Sequence, residues 1–431
     1  MIWEILIPQS KNSMLCLRRN RRLLSNLFSS CKWHFNSHCV TPIMEEKISH
    51  NEPMVIENNK RPAPEENNEN LPKKQMTEMI RVKRRNYALL LAYLGKNYAG
   101  MQRNPGMKTI DEELINALLK ADLITNEAFD MIQTIQYQRA ARTDKGVSAV
   151  RQVVSVKLPE NVCKNVLNGF LPDDIKVFGI KRVTKGFNSK SHCSGRTYTY
   201  TLPTYSFAPE SSNIPPRDVD IDARMKELLT IDGKPLQEYR ISADIIARIV
   251  SSLKIYEGTH NFHNFTSKVK PLDPRAQRYI IETSCSEPFI SDSMEFITLE
   301  IKGQSFMLHQ IRKMVALVIS VVRNIIREEI ISEAFTPPKL DLPMAPSLGL
   351  VLQRVHYDGY NKRYGSDGIH ETLDWTECDE EITKFTKDYI LKHITETEKR
   401  ENAILSWLAT LPSHKFSVRE EREEREEPTD D

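Results

Sequence analysis

RAARTDKGVSAVRQVV, residues 139–154, is a stretch in which a basic loop passes directly into a predicted strand. Its single carboxylate, Asp144, lies among four cations, which are Arg139, Arg142, Lys145 and Arg151. The residues from 153 to 158 are mostly β-formers. Gly146 gives the backbone the freedom that a tight turn before this strand needs.

An acidic side chain among cations has two interpretations. Nearby positive charge keeps a carboxylate ionised, and an ionised carboxylate can act as a nucleophile. The same cations would attract the phosphates of a nucleic acid. The alternative is a solvated surface turn in which Asp144 pairs with Lys145, since charge runs are usually solvated faces. Chemistry alone leaves both open.

The segment Ala141–Ala149, ARTDKGVSA, resembles the signature loop of the tRNA pseudouridine synthase A (TruA) family. Further blocks agree in order, so the resemblance covers roughly Tyr87 to Tyr360. In that family the Asp of the Arg-Thr-Asp triplet is the catalytic nucleophile, which implies this role for Asp144. The resemblance also implies that Arg142 fills the gap left by a flipped base, and that Lys145 contributes to RNA binding.

Phe187–Tyr200 is similar to a second block of the family. There the Tyr two residues after an Arg stacks on the target uracil, so this role falls on Tyr198, with Arg196 as an RNA contact. Lys190 stands where the family often has Arg, and a Lys phosphate contact lacks planar bidentate geometry. Strand alternation places Tyr198 and Tyr200 on one face, and a core tyrosine pair would explain that equally well.

Gly303–Met314 resembles a third block and opens a predicted helix. The core stripe of this helix is predicted to contain Ile311, Met314, Val318, Val321 and Ile325. Arg312 lies close to the stripe, where a buried cation needs a partner. In the family a basic residue here pairs with the catalytic Asp, which predicts an Arg312–Asp144 ion pair. The alternative is that Arg312 extends to solvent. His309 is expected to contact the substrate.

The periodicity of the chain indicates both strands and helices, a pattern compatible with the α+β fold that the resemblance implies. The expected elements are strands at Tyr87–Tyr93, Thr134–Ala140, Gln152–Leu158, Ile175–Val183, Thr197–Thr201, Arg278–Ser286 and Glu295–Lys302, helices from Thr109 to about Leu123, near Val162–Asn168 and from Ser242, and loops at Gly95–Lys108 and Thr204–Tyr239. The resemblance implies two ferredoxin-like or RRM-like subdomains with a merged, mostly antiparallel sheet and a basic cleft between them. The expected boundaries are 81–203 and 242–360, with an insertion loop at 204–241.

Composition limits the other possibilities. The 431 residues carry a net charge of only +2, so an RNA-binding surface must come from local patches. Seven cysteines without a Cys-x-x-Cys pair argue against a disulfide framework and a cysteine zinc site. His260 and His263 lack the neighbouring ligands that zinc requires, so no metal is expected. No apolar run reaches the roughly 20 residues that span a bilayer.

The two ends of the chain differ from its centre. Residues 14–44 are rich in Arg and Ser and contain no acidic residue, which predicts a mitochondrial transit peptide at 1–43. The polar linker 44–80 carries Lys60-Arg61 and Lys73-Lys74, typical of a nuclear localisation signal or of a solvated linker. We therefore expect mitochondrial and nuclear products from starts at Met1 or Met14 and at Met44. Residues 361–431 form a C-terminal extension with a charged tail.

The function implied by the resemblance is isomerisation of uridine to pseudouridine in tRNA, and in other RNAs such as snRNA and mRNA, by a monomer or homodimer without a cofactor. The blocks look most like a eukaryotic branch that modifies several tRNA sites, with the anticodon-stem-restricted branch as the competitor. A catalytically silent RNA-binding protein is the alternative from another class. A glycoside hydrolase would need a second positioned carboxylate, which the motif blocks lack.

Overall fold

The structure is a computed structural model that describes residues 83–210, 220–267 and 269–417. The expected transit peptide (1–43), the linker with its basic clusters (44–80) and the charged tail from Arg419 lie outside these residues. Contacts divide the chain between Thr77 and Glu78. The described residues all belong to the second unit, which begins at Glu78.

The secondary structure of the described residues alternates strands with helices. The strands are β1 (Arg84–Tyr93), β2 (Gln138–Arg139), β3 (Ser148–Pro159), β4 (Ile175–Arg182), β5 (Gly195–Pro203), β6 (Thr230–Ile231), β7 (Lys234–Pro235), β8 (Gly258–Asn261), β9 (Gln277–Cys285), β10 (Phe289–Ser291), β11 (Met294–Gly303) and β12 (Leu350–His356). The α-helices are α1 (Ile110–Lys120), α2 (Asn126–Asp130), α3 (Lys164–Asn168), α4 (Ile221–Leu228), α5 (Ala243–Lys254), α6 (Gln310–Val322), α7 (Glu329–Glu333), α8 (Asp358–Tyr364), α9 (Asp379–Phe385), α10 (Lys392–Glu401) and α11 (Ala403–Thr410).

One sheet of ten strands organises the fold, in the order β4-β1-β3-β12-β5-β11-β9-β8, with β2 paired to β3 and β10 paired to β11. Neighbouring strands are antiparallel except at the junction of β3 and β12. There, in a parallel pairing that we call the seam, Ser148 pairs with Val351 and Ala149 with Leu352. The predicted α+β class with a mostly antiparallel sheet is therefore confirmed.

The sheet order shows where the chain passes from one half to the other. β5 belongs by sequence to the expected N-terminal subdomain, yet it lies between β12 and β11. The N-terminal half of the sheet therefore contains β1 to β4, and the C-terminal half contains β5 and β8 to β12. Tyr198 on β5 thus lies in the C-terminal half, together with Arg312, and not in the half that carries Asp144.

The first helix begins as its sequence predicts. The hydroxyl of Thr109 accepts a hydrogen bond from the backbone N–H of Glu112, which satisfies one of the free donors at the helix start. Leu114 and Leu118 are buried at helical spacing. The helix ends at Lys120 rather than near Leu123, because Asp122 adopts a left-handed conformation with φ of 55°.

The strand prediction for Thr134–Ala140 is largely wrong. Residues Ile132–Ile135 form a 3₁₀ turn, and Gln136 has φ of 52°, so the extended conformation is limited to β2. β3, by contrast, begins at Ser148 rather than at Gln152. Its first residues form the seam, a long-range pairing that local propensity does not reveal.

The C-terminal half also differs locally from the predictions. In β11, Ile297, Leu299 and Ile301 are buried and alternate with the more exposed Thr298, Glu300 and Lys302. The described parts of the predicted loop Thr204–Tyr239, residues 204–210 and 220–239, contain a buried 3₁₀ turn, α4 and the β6–β7 hairpin. Helix α6 is buried almost all round and ends before Ile325, so its core contact is wider than one stripe.

The C-terminal extension covers the N-terminal half of the sheet. Trp375 lies against Gly179 of β4, where a Cβ atom would come within 2.6 Å of the indole ring. Lys181 pairs with Glu377 at 2.7 Å, and Arg151 pairs with Asp379 at 2.7 Å. Because side chains alternate along a strand, Arg151 of β3 faces the extension on the side of the sheet opposite to that of its neighbour Gln152.

The block around His260 and His263 packs at the sheet edge, where β8 is the last strand. The imidazole of His260 stacks on Phe335 with ring centroids 4.2 Å apart, and Nδ1 of His263 is 3.1 Å from the side-chain oxygen of Asn261. No cluster of three or more metal-ligating side chains occurs within the described ranges. The helices described here are all too short or too polar to cross a membrane.

Candidate active site

A cavity of about 580 Å³ opens where the two halves of the sheet meet. Its walls are Gln138–Asp144, Val147 and Lys190 from the N-terminal half, and Arg196, Tyr198, Ser305–Ile311 and Leu350 from the C-terminal half. Six of the eight predicted site residues line it, namely Arg142, Asp144, Lys190, Arg196, Tyr198 and His309. Lys145 is exposed on the same loop as Asp144, and Arg312 lies on α6; neither lines the cavity.

The segment Ala140–Val147, which we call the Asp144 loop, is held by buried hydrogen bonds at the residues that precede the carboxylate. The side-chain amide of Gln152 donates to the carbonyl oxygen of Ala141 at 2.9 Å and accepts from its N–H at 3.2 Å. The hydroxyls of Tyr93 and Thr143 are 2.7 Å apart. Asp144 itself is half-buried, so the loop presents one carboxylate at a fixed place.

Two glycines of the preceding loop lie directly against the Asp144 loop. A Cβ atom on Gly95 would overlap the carbonyl oxygen of Val147 and come within 2.8 Å of the backbone of Gly146. Gly100 has φ of 118°, and a Cβ there would be 2.9 Å from the carbonyl oxygen of Thr143. Such close backbone approach requires residues without a side chain.

Tyr198 forms the opposite wall of the cavity. Its ring meets Phe306 edge to face, with centroids 5.3 Å apart and an interplanar angle of 83°. Burial raises the pKa of the Tyr198 phenol to about 12, with Asp144 adding to the rise and Arg196 opposing it. The phenol is therefore protonated at neutral pH, and the residue offers a flat, uncharged ring.

Arg312 does not form the expected direct ion pair with Asp144. Its Nε donates instead to the carbonyl oxygen of Ala345 at 2.6 Å, and within the described ranges no ion pair joins the two side chains. Burial lowers the pKa of Arg312, while Tyr200 and Asp144 act in the opposite direction. The carboxylate and the guanidinium are therefore close enough to interact through space, with the backbone of Ala345 holding Arg312.

His309 adopts a left-handed conformation with φ of 65° immediately before α6. Burial lowers the pKa of its imidazole, Asp144 raises it, and Arg312 and Lys313 lower it further. A non-glycine residue in this region is strained, and such strain clusters at functional sites. The pKa of His309 therefore depends on the charge of Asp144.

Asp144→Asn is expected to lower the pKa of His309 further, because it removes the charge that favours the imidazolium. Arg312→Gln should raise the same pKa, since it removes an opposing cation. The measurement is an NMR titration of the His309 ring proton in the three proteins. An unchanged pKa in Asp144→Asn would show that an ionised Asp144 does not face this ring.

Arg196 is expected from the sequence to contact RNA, but its guanidinium donates hydrogen bonds to the protein backbone. Its Nε and Nη2 both donate to the carbonyl oxygen of Ala140, at 3.2 and 2.7 Å, and Nη1 donates to the carbonyl oxygen of Gln304 at 3.0 Å. These bonds connect the start of the Asp144 loop to the segment before α6. Arg142, Lys145 and Lys190 are exposed and therefore accessible to a polyanion.

Sequence reasoning missed several walls of the cavity. Phe306, Met307 and Leu308 line it between β11 and α6, and the only local signal was an apolar run directly before His309. Arg139 also lines it, although the sequence marked this residue only as one of several cations.

Comparisons with known proteins found a family model and several relatives that match this chain. Residues 253–358 match a family model described as tRNA pseudouridine synthase. A Mus musculus protein named Pseudouridylate synthase 1 homolog is 45% identical over 339 residues, which cover 78% of this chain and 75% of the mouse protein. A Homo sapiens protein of the same name is 44% identical over 335 residues, covering 77% and 74%. A Saccharomyces cerevisiae protein named tRNA pseudouridine synthase 1 is 32% identical over 381 residues, covering 74% and 69%.

Proposed function

Because this chain belongs to the TruA family of tRNA pseudouridine synthases, it isomerises uridines of tRNA to pseudouridine, and we propose that Asp144 acts on the ribose in that reaction. The bond between N1 of uracil and C1′ of ribose breaks, the base turns, and C5 bonds to C1′. The hydrogen on C5 is released as a proton, and N1 ends with a proton. Nothing is oxidised or reduced, so the protein must supply only positioning, charge and proton acceptors.

The environment of Asp144 carries this proposal. It is the carboxylate of a cavity whose other walls bear cations and an aromatic ring, and a volume of about 580 Å³ lies in the range of small-ligand pockets. An ionised carboxylate at this place can attack C1′ or assist removal of the proton at C2′. Both routes need the target nucleotide inside the cavity, next to Asp144.

The target base must leave the helical stack, at a cost of a few kcal/mol. We propose that the exposed side chain of Arg142 fills the space left by that base and contacts a phosphate. Tyr198 offers the uracil a flat face for stacking, which suits its protonated phenol. Lys145, Lys190 and His309 would then contact the nucleotide and its neighbours, while Arg196 positions the Asp144 loop through Ala140.

Arg312 is proposed as the electrostatic partner of Asp144. Its guanidinium is fixed by Ala345, and Asp144 raises the pKa of Arg312 without forming an ion pair with it. A nearby cation favours the ionised form of a carboxyl group. This arrangement leaves both carboxylate oxygens of Asp144 available to the ribose.

Each half of the sheet is proposed to be a ferredoxin-like unit. The first half runs β1-α1-β2-β3-α3-β4 with the strand order β4-β1-β3-β2, and the second runs β5-α5-β9-β11-α6-β12 with the order β12-β5-β11-β9. Both orders correspond to the βαββαβ pattern of that fold. The boundary between the units would then lie between β4 and β5, and the cavity between the units would serve as the basic cleft.

We also propose which RNAs are substrates and how the chain assembles. Several tRNA positions, and RNAs such as snRNA and mRNA, are proposed as substrates, because selection by helix shape does not demand one sequence. The chain is proposed to act as a monomer or homodimer. The anticodon-stem-restricted branch makes a different prediction, namely that a transcript reduced to the anticodon stem-loop contains every modified uridine.

We propose that the N-terminal segment directs the protein to mitochondria, and that the linker after Met44 directs it to the nucleus. The support is compositional: an Arg-rich and Ser-rich, acid-free segment followed by clusters such as Lys60-Arg61. The test compares fluorescent fusions of the natural chain and of Met44→Ala. Met44→Ala is expected to lose the nuclear signal and keep the mitochondrial signal. An unchanged nuclear signal would contradict the two-product proposal.

Tritium release from C5-labelled uridine in transcribed tRNA tests the proposed function, with the chain from Met44 as the enzyme. Tritium release is expected, because C5 loses its hydrogen when it bonds to C1′. Binding of tRNA without release from any transcript would instead favour the silent RNA-binding protein. The intact Arg142-Thr143-Asp144 triplet argues against that alternative, since a purely binding surface gains nothing from an acid near phosphate.

A further inference from the structure

A buried carboxylate lies behind the catalytic cavity. Asp111, in the first turn of α1, is fully buried. It accepts hydrogen bonds from the hydroxyl of Tyr137 at 2.7 Å and from the backbone N–H of Arg103 at 3.2 Å. It also forms an ion pair with Nη2 of Arg139 at 2.7 Å. A carboxylate this deep costs free energy unless its oxygens are satisfied, and these three donors satisfy them.

Arg139 connects the buried Asp111 to the cavity, because it pairs with Asp111 and also lines the cavity wall. It belongs to β2, lines the cavity beside Ala140, and has a side chain only 14% exposed. Its Nε is buried and has no hydrogen-bond partner among the described atoms. The exposed cations Arg142 and Lys190 can follow a phosphate in solvent, whereas Arg139 can meet only a group that enters the cavity.

We propose that Arg139 is a further substrate-binding residue, and that Asp111 is the positioning residue that holds its guanidinium against the target nucleotide. A guanidinium has five N–H donors and no acceptor, so its ligand is an acceptor oxygen. Within the cavity that oxygen belongs to a uracil carbonyl or to the phosphate of the flipped nucleotide. This inference rests on the proposed function and identifies a contact in the same site.

The ion pair explains how a cation can be fixed there. A mobile arginine loses rotamer freedom when it binds, but a carboxylate partner restricts the side chain before the nucleotide arrives. Burial raises the pKa of Asp111, while Arg139, Tyr137 and Arg103 lower it. Loss of Asp111 would therefore leave Arg139 present but unrestrained.

The test compares Arg139→Gln, Asp111→Asn and their double variant in the chain from Met44. Each single variant is expected to lower kcat by about 100-fold, as for a misplaced contact in an active site. The KM and Kd for tRNA should change less than twofold, because the exposed cations Arg142, Lys145 and Lys190, which are accessible to phosphate, are unchanged. The double variant should be no slower than Arg139→Gln. Arg139→Lys, which keeps the charge but not the planar donor pair, should recover about tenfold of the loss.

Tyr137→Phe is the matched control. It removes another hydrogen bond to the same carboxylate, from a buried residue that does not line the cavity. A lower Tm with kcat of the folded protein unchanged is expected. If kcat in Tyr137→Phe and Asp111→Asn falls equally, the cluster supports only the fold, and the inference is overturned. Additive effects in the double variant would overturn it too.

Thio-substituted tRNAs identify the acceptor. If 4-thiouridine or 2-thiouridine at the target slows the natural chain but not Arg139→Gln, the acceptor is a base carbonyl. If a phosphorothioate at that nucleotide does so, the acceptor is the phosphate, and no interaction with either substitution contradicts the inference. Failure of the proposed function is distinguishable, because the natural chain itself would then release no tritium.

Discussion

Asp144→Asn slows pseudouridine formation by roughly 10⁴-fold or more in the expected result, the scale found when a nucleophile is removed from an active site. The amide has nearly the shape of the carboxylate but no charge and little nucleophilicity. The Asp144 loop should keep its conformation, because its supporting hydrogen bonds come from Gln152 and Tyr93. Affinity for tRNA should be retained or rise slightly, since an anion near phosphate is lost. Single-turnover tritium release and filter binding measure both effects.

Asp144→Glu is the corresponding control for geometry. It keeps the charge but moves the carboxylate outward by one methylene group, and a displacement of about 1 Å is expected to reduce the rate by around 100-fold. The order of rates should therefore be natural chain, Asp144→Glu, Asp144→Asn. Equal rates for the natural chain and Asp144→Asn would place the reactive carboxylate elsewhere.

Gly95→Ala has the second largest expected effect. The added methyl group would overlap the carbonyl oxygen of Val147, and a backbone atom cannot move aside as a side chain can. The N–H of Gly95 also donates to the hydroxyl of Ser148 at 3.0 Å, at the start of β3. We expect the free energy of unfolding to fall by about 1–3 kcal/mol, as for other overpacked interiors. Turnover of the folded fraction should fall by about 100-fold, because the Asp144 loop must shift.

Gly186→Ala provides the control, because a Cβ atom there meets nothing within 4 Å and no left-handed φ is required. Its stability should match or slightly exceed that of the natural chain. Urea unfolding gives the free energies, and tritium release gives the rates. A Gly95→Ala variant as stable and active as Gly186→Ala would mean that the loop tolerates displacement.

Sequence reasoning succeeded where local physics determines the outcome. The helix that starts after Thr109, the strand at Glu295–Lys302 and the turn at Gly146 each depend on neighbouring residues, and each is found in the structure. The prominence of Asp144 was equally visible, because one acid among four cations is a local pattern. The resemblance added an order of motifs that brings Tyr198 and His309 to the same cavity as Asp144.

Long-range contacts account for what the sequence did not reveal. The donors of Arg196 are used by Ala140 and Gln304, so a residue expected to contact RNA holds the protein together instead. The direct Arg312–Asp144 pair is replaced by a bond to Ala345. In each case an arginine has several possible acceptors, and only the folded backbone decides which carbonyl oxygen lies within reach.

The seam between β3 and β12 can form only after β12 has been synthesised, late in translation. On the ribosome, Asp144 and the strand after it emerge long before Val351 and Leu352, their neighbours across the seam. Pairings between distant parts of a chain form slowly, and domains fold in order as they are synthesised. A nascent chain that stops before β12 would therefore display Asp144 without the wall that carries Leu350. A complete cavity therefore requires synthesis to proceed past β12, because a chain that ends earlier has Asp144 but not Leu350.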